Sequence, residues 1–529
     1  MRSETLFDIP SANNWASATV DAILVAASKA ISFIQEKSTS LSTTTNASLL
    51  LGTVLVVILV RQSFKVSQTK PGEPPLLPGT LPLLGHALSF NKDSNKLYEV
   101  ARNWSPNQGP VSLSVLGQRI YIILNTRDVN AVWRSKSLLF DSVAEWGLAT
   151  MFGMSNEGAK AIRGDELGLV NMYQDQHGYW RDALAPGDAL NSLTQRFLNC
   201  LEKDLAKLDE ELRQKGTTTF ELREFVRLRL GNQSTEAFSG PKLLEYEPDI
   251  VKKLAIWDKD FYKLSMGLPR WMLHHAHKNL DDMVKAWQRM NGAPEVLPPL
   301  TTRIGMMGER GCSERDKGAA NFSIWMATLA NALPTNFWLI YQIMRHPELQ
   351  ATLHEEIAPA FNKENSLVDL NHLLNNCPLL HSMYWEALRW STGAVSTRSV
   401  AEDTEVAGYV FYTGALVMSP MRLVNFDRKV FGPDAEDYVP ERFLRPHEPE
   451  KGIYNPGIKA VKSFGGGVTY CPGRHFALNE IIAFTASVMR RYDLEFVEGQ
   501  TEAVVLTSAP VVGTFPADKE VWMKISLKN

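Results

Sequence analysis

The stretch SFGGGVTYCPGRHFALNE, Ser463–Glu480, restricts the fold more than any other. Gly465, Gly466 and Gly467 let the backbone approach a bulky planar group and adopt dihedral angles that residues with a Cβ avoid. Pro472 suits the first position of a helix, because it has no amide to leave unpaired. Further on, Ala477, Ile481, Phe484 and Val488 recur four, three and four residues apart, which predicts a helix with one core-facing stripe. Cys471 therefore stands at a helix start, where unpaired amides stabilise a thiolate over a thiol, the form that an anionic metal ligand takes. Three other readings of the loop compete, and each asks for something more. A buried structural cysteine, the commonest fate of a lone Cys, has no use for three preceding glycines. A phosphate loop orders its glycines G-x-G-x-x-G between a strand and a helix. A cysteine nucleophile needs a partner base, and no histidine pattern points to one.

The rest of the chain bounds what can surround that loop. Its 529 residues are ample for a large core, and 44% hydrophobic with 21% charged residues is the balance of a globular protein. Lys and Arg total 55 against 58 Asp and Glu, a formal charge of -3, so no overall basic field exists to hold a nucleic acid. The four cysteines, Cys200, Cys312, Cys377 and Cys471, form no C-x-x-C pair. That speaks against a disulfide framework or a zinc site, and for a body facing a reducing compartment.

The N-terminal region is of another kind. Residues 43–60, TTTNASLLLGTVLVVILV, carry no charge and approach the shortest helix that crosses a hydrocarbon core. Arg61, Lys65 and Lys70 follow, and cations flanking a span tend to stay cytosolic. The expectation is a transmembrane anchor at 43–60 with the body on the cytosolic side, although Lys29 and Lys37 on the other flank nearly balance the count. Within 1–42, Val20, Ile23, Leu24, Ala27, Ile31 and Ile34 recur at helical spacing, an amphipathic helix either lying on the membrane or docked on the body. The sequon Asn46-Ala47-Ser48 abuts or enters the span. Pro71, Pro74, Pro75, Pro78 and Pro82 mark a semi-rigid hinge, placed at 61–80. No repeat interrupts residues 81–529, the expected single catalytic domain.

The residues Phe464, Gly467, Cys471, Gly473, Arg474, Phe476 and Ala477 fit F-x-x-G-x-x-x-C-x-G-R-x-F-A, and this segment resembles the heme loop of cytochromes P450. Upstream, Glu386-Ala387-Leu388-Arg389 resembles the E-x-x-R of that family's K helix, with acid and base one turn apart, and Pro440-Glu441-Arg442-Phe443 resembles its P-E-R-F segment. The resemblance implies a mainly α fold with smaller β-sheets. It implies heme b with the Cys471 thiolate as axial ligand, Phe464, Gly467 and Arg474 in the cofactor loop, and a structural triad of Glu386, Arg389 and Arg442. Arg398, nine residues after Arg389, stands where the family commonly places a cation for a heme propionate. An NADPH-dependent reductase as electron donor, a lipophilic substrate and the endoplasmic reticulum membrane as location are implied as well.

Three positions depart from the pattern. Thr469 stands two residues before the cysteine, where Arg or His is usual, and Leu184 replaces the Arg of W-x-x-x-R after Trp180. Propionate anchoring then falls to Arg398 with Arg181 or His177. The helix before Arg345-His346-Pro347-Glu348, IWMATLANALPTNFWLIYQIM, resembles the family's I helix, but Leu333 and Pro334 occupy the places of its acid and threonine, with Thr335 next. Pro334 removes the amide that would bond to the Ala330 carbonyl, which predicts a kink. Asn331 and Thr335 are the candidate proton-delivery residues, through waters that they hold; the other use of Asn331 is to cap the carbonyl freed by Pro334.

This pattern, with GDALNSLTQRF at Gly187–Phe197, looks like the branch that holds the sterol 7-alpha and 12-alpha hydroxylases and prostacyclin synthase. The expected activity is a monooxygenase hydroxylating a sterol-like, terpenoid or other lipophilic specialised metabolite. The alternatives are a redox-neutral rearrangement of a peroxide and a non-enzymatic heme sensor. Residues 325–337, 391–397 and 507–513 are the expected pocket, apolar with no regularly placed cation. Lys451, Lys459, Lys462, Arg474, Arg490 and Arg491 are the expected docking patch for a reductase. Residues 269–280 either dip into the bilayer or form an ordinary helix and loop.

Overall fold

Helical periodicity dominates the chain, and the computed structural model is mainly helical with small sheets, as expected. It describes residues 68–81, 84–164, 168–169, 171–265, 270–361 and 368–528, apart from the side chains of 174–179. Two compact units are found, the larger formed by 139–396 with 420–529 and the smaller by residues up to 138 with 397–419.

In the larger unit, α1 (Asp188–Lys215) buries Leu190, Leu193, Phe197, Leu201, Leu205, Leu208 and Leu212 along one side and ends at Gly216, whose φ of 77° suits glycine. The strand Thr217–Glu221 follows and pairs antiparallel with Trp522–Leu527, which in turn pairs with Tyr492–Phe496. The Glu221 carboxylate accepts from Glu224 N at 2.7 Å and caps α2 (Leu222–Ser239). After α3 (Ile250–Leu264), α4 (Glu314–Leu329) opens with a capping box between Ser313 and Asp316. Then come α5 (Ala332–Arg345), α6 (Pro378–Trp390) and α7 (Arg474–Arg491). On α7, Ile481, Phe484 and Val488 of the predicted stripe are buried, each contributing about 1.5–3 kcal/mol, but Ala477 is only partly so and the helix is buried on all sides from Asn479 to Met489, not along one stripe. Asn336 Nδ2 donates to Thr485 Oγ1 at 2.8 Å and ties α5 to α7, while Phe197 meets Phe476 edge-on and ties α1 to it.

Where a kink was expected the helix is interrupted, with α4 ending at Leu329 and α5 starting at Ala332, while Ala330 and Asn331 between them keep right-handed helical dihedral angles. Pro334 is the third residue of the new helix, where an amide has no intrahelical partner to lose. The interruption therefore falls one turn upstream, at Ala330 and Asn331, whose ladder the proline cannot continue.

The smaller unit is built on a sheet with strand order Val111–Val115, Gln118–Ile122, Leu416–Pro420, Val395–Val400, Leu138–Leu139. The first two strands are antiparallel, Val111 opposite Ile122, and the third joins in parallel with Leu416 opposite Ile120. The described end of the proline-rich segment lies on this sheet. Ser112 donates through N to Pro75 O at 2.9 Å and through Oγ to Pro74 O at 2.6 Å, and Leu77 N donates to Ser112 O at 3.0 Å. Prolines lack donors but their carbonyls still accept. Buried Glu73 pairs with Arg119 at 2.9 Å and accepts from the Tyr121 hydroxyl at 2.9 Å. The anchor at 43–60, the amphipathic helix within 1–42 and the start of the hinge lie outside the described residues, among which no helix is long and apolar enough to cross a membrane.

Candidate functional site

Glu386 and Arg389, one turn apart on α6, are wholly buried, and so is Arg442. Removing such charges from water costs several kcal/mol per ion unless their polar atoms find partners. Glu386 accepts from Arg389 Nη2 at 2.7 Å and Nε at 2.8 Å, from Arg442 Nε at 3.0 and 3.1 Å, and from Val439 N at 2.9 Å. The remaining Arg389 donors reach the carbonyls of Asn425, Ala435 and Asp437. Those of Arg442 reach the carbonyls of Phe431, Asp434 and Asp437 and the Asp434 carboxylate. A guanidinium has five N–H donors, and both are fully used.

Asn425 carries this network to the cysteine loop. Its Oδ1 accepts from Lys462 N at 2.9 Å and its Nδ2 donates to Ser463 Oγ at 3.0 Å, while Ser463 Oγ donates to Leu388 O at 2.7 Å. Trp385 on α6 meets Phe464 edge-on with centroids 6.0 Å apart. Asn425, Ser463 and Trp385 carry no signal in the sequence, because only the tertiary fold brings residues 385, 425 and 463 together.

Within the loop, Cys471 N donates to Phe464 O at 3.1 Å. Gly465 and Gly467 have φ of 72° and 62°, the left-handed region that accounts for two of the three glycines; Gly466 is extended. The Cys471 sulfur faces the amides of Gly473 and Arg474 where α7 begins. Burial pushes the thiol up, against the pull of those amides and of the Arg474 charge. Desolvation and the helix-start amides thus act on this sulfur in opposite directions. An ionised sulfur at this place calls for a cationic partner. Arg474 Nη1 donates to Cys471 O at 2.9 Å, and its guanidinium lies over the Tyr470 ring, 4.5 Å from the centroid. Thr469 Oγ1 donates to Gly466 O at 3.2 Å.

The expected pocket segments converge at the helix break. Gly393 N donates to Gly513 O at 2.7 Å. A Cβ on Gly393 would come within 2.6 Å of Val511, and one on Gly513 within 2.1 Å of Asn331 Oδ1. Thr335 is buried and its Oγ1 lies 3.3 Å from Thr514 Oγ1. Asn331 makes no capping hydrogen bond, and its Oδ1 is buried without a partner among the described residues, as is Thr392 Oγ1. Beside the break lies a half-open cavity walled by Val251, Leu254, Leu329, Leu333 and Phe337, with Asp258 of α3 and Arg223 and Arg227 of α2 among its lining. The sequence had placed no cation there. The i, i+4 spacing of Arg223 and Arg227 was visible, but not the face that it occupies.

Arg398 belongs to the smaller unit, where it is buried and donates through Nη1 to Thr397 O at 3.1 Å. Arg181 is turned to solvent beside Asp182, 3.6 Å away, and the His177 side chain is outside the described residues. In the expected basic patch, Arg491 is held by Glu202 and, at 3.1 Å, by Asp209, and Lys451 by Glu448 at 2.7 Å. The cationic surface is therefore weaker than the residue count implied. Trp271, in the segment considered for membrane contact, is 78% exposed.

Residues 301–516 match the family model for cytochrome P450. The chain is 24% identical over 489 residues to the cytochrome P450 monooxygenase poxD of Penicillium oxalicum, covering 89% of this chain and 97% of that protein. It is 28% identical over 480 residues to the cytochrome P450 monooxygenase nodJ of Hypoxylon pulicicidum, covering 84% and 89%. It is 26% identical over 497 residues to the cholesterol 7-alpha-monooxygenase of Cricetulus griseus, covering 88% and 96%. With a half-buried cysteine at a helix start, an acid and two arginines paired behind its loop and these relatives along nearly its whole length, the chain is similar to the heme-thiolate monooxygenases of the cytochrome P450 superfamily.

Proposed function

We propose that the chain binds heme b through Cys471 and oxidises a hydrophobic small molecule, sterol-like, terpenoid or another lipophilic specialised metabolite, with dioxygen and electrons passed from NADPH by a separate reductase. The observation that carries this reading is the half-buried Cys471, whose sulfur faces two backbone amides. The fit to a heme rests on that donor set, on left-handed glycines that keep the loop free of Cβ atoms, and on the orphaned Asn331 Oδ1 at the helix break. When bound, the cofactor supplies the centre at which dioxygen is activated, its thiolate favouring O–O cleavage.

The chain's own residues do the rest. The Gly473 and Arg474 amides hold the sulfur in place and spread its charge. Phe464, braced by Trp385, and Gly467 shape the loop against the ring, and Arg474 fixes the Cys471 carbonyl. Glu386, Arg389 and Arg442, through Asn425, hold the loop's entry rigid. Thr335 and Asn331 offer a hydroxyl and an amide for holding water at the break, in place of the acid and threonine that Leu333 and Pro334 replace. The apolar walls of Val251, Leu254, Leu329, Leu333 and Phe337 support a lipophilic substrate, and the named substrate of the cholesterol 7-alpha-monooxygenase supports a sterol-like one. Anchorage by residues 43–60 in the endoplasmic reticulum membrane, with the catalytic body in the cytosol, rests on the uncharged run and its cationic flank.

One observation favours a second reading. The missing acid–alcohol pair at Leu333 and Pro334 suits rearrangement of a peroxide, which needs no delivered protons. Co-expression with a reductase and product profiling on a panel of lipophilic substrates under labelled dioxygen decides. The monooxygenase reading expects NADPH-dependent products carrying one labelled oxygen atom. Turnover of a peroxide without NADPH contradicts it.

A further inference from the structure

Monooxygenation consumes protons, and the broken helix offers no acid at its break to pass them. The cavity beside it does. Asp258 shares that space with Leu333, Pro334 and Thr514, and Thr514 Oγ1 lies 3.3 Å from Thr335 Oγ1 on α5. The cavity leaves about 90 Å³ in which water-sized molecules can centre, against the roughly 10–15 Å³ that one water requires. Its open mouth gives access to bulk solvent.

The charged neighbours of Asp258 are Arg223 and Arg227 of α2 and Lys259 of its own helix. Arg223 Nη2 is engaged by the carbonyls of Ala517 and Lys519 at 3.2 and 3.0 Å, and Arg227 is paired with Glu224. The two arginines are thus held by other partners. Burial pushes Asp258 up to about 6, against Arg227 and Lys259, a range in which a carboxyl both releases and regains a proton near neutrality.

We propose that Asp258 feeds protons, through waters in this cavity and the Thr514–Thr335 hydroxyl pair, to the distal side of the proposed heme site. The inference rests on the monooxygenase reading. Each transfer is a shift along a chain: the Asp258 carboxyl protonates a cavity water, which protonates Thr514 Oγ1. That oxygen passes its own proton to Thr335 Oγ1, and Thr335 releases one on the far side. The Asp258 carboxylate regains its proton from solvent at the mouth. No electron moves and no bond other than O–H is exchanged.

The test compares the full, heme-loaded chain and its D258N, D258E and T514V variants with a reductase. Product formed per NADPH is expected to fall about tenfold or more in D258N and T514V, with hydrogen peroxide released in its place and largely recovered coupling in D258E. T514V leaves the cavity's charges in place and carries the test if D258N fails to take up heme. Unchanged coupling in D258N and T514V overturns the inference. A second readout needs no turnover. Infrared difference spectra of the resting protein across neutral pH are expected to show a carboxylic acid band that is absent in D258N and displaced in T514V. A band identical in T514V and the parent overturns the relay even if the parent uses no NADPH, which is the separate result that sinks the monooxygenase reading.

Discussion

The cysteine loop and the broken α4–α5 helix handle their polar groups in opposite ways. Behind the loop, Arg389 and Arg442 have every N–H donor matched, and Asn425 and Ser463 extend that order to the loop's first residues. At the break, Asn331 Oδ1 and Thr392 Oγ1 are buried with no partner among the described residues. Unmatched buried acceptors cost about 1–3 kcal/mol each, so they persist where something other than stability keeps them. One side of the site is held still, and the other keeps polar atoms ready for water, substrate or protons.

The largest expected effect breaks the satisfied side. Glu386→Ala takes the carboxylate from buried Arg389 and one of the two from Arg442, which keeps Asp434, and is expected to destabilise the chain by about 3–5 kcal/mol, measured by urea unfolding together with retained heme. A loss under about 1 kcal/mol would show that the network does not hold the loop.

Next comes Glu480 on α7, wholly buried with the Ser234 hydroxyl donating to its carboxylate. Burial pushes it up to about 8 from 4.5. A raised carboxyl contributes stability that is fully present below the unfolded pKa and lost as pH rises through the folded one. Stability is therefore expected to fall by on the order of 2–4 kcal/mol between about pH 4.5 and about pH 8. Glu480→Gln removes that slope, and thermal unfolding across pH reads it; a slope equal to the parent's would remove Glu480 from the account.

A smaller effect sharpens the unsatisfied side. Gly513→Ala puts a Cβ within 2.1 Å of Asn331 Oδ1, and the overpacking is expected to cost about 1–3 kcal/mol. Asn331→Ala in the same chain relieves more than half of that, as read by a double-mutant cycle on unfolding. Additive effects would mean that the two do not meet. Smallest of the set is Thr335→Val, which removes the hydroxyl pair with Thr514 and is expected to cost about 1 kcal/mol while leaving heme uptake unchanged; loss of heme would assign Thr335 a structural task instead.

Much of the satisfied side was legible because its chemistry is local. The spacing of Glu386 and Arg389 on one helix face, the apolar stripe of α7 and the glycines before Cys471 are each short-range patterns. Their long-range partners were not. Asn425 meets the loop through contacts across nearly forty residues of chain, and nothing about an isolated asparagine announces that. At Cys471 the helix start is visible in sequence, whereas the desolvation that opposes it is not. Pro334 announced an interrupted helix, but the cavity assembled from α2, α3 and the 514–517 segment depends on packing between elements far apart in the chain. So does the proline-rich segment, read as a spacer and found zipped to the strand at Ser112.

The central claim is that Cys471 is the axial thiolate of a heme. The direct measurement is the carbon-monoxide difference spectrum of the reduced, heme-loaded protein beside Cys471→Ala. A red-shifted thiolate band in the parent, absent from the variant, is the predicted result. A folded, heme-loaded parent without that band, or a variant that retains it, would contradict the account.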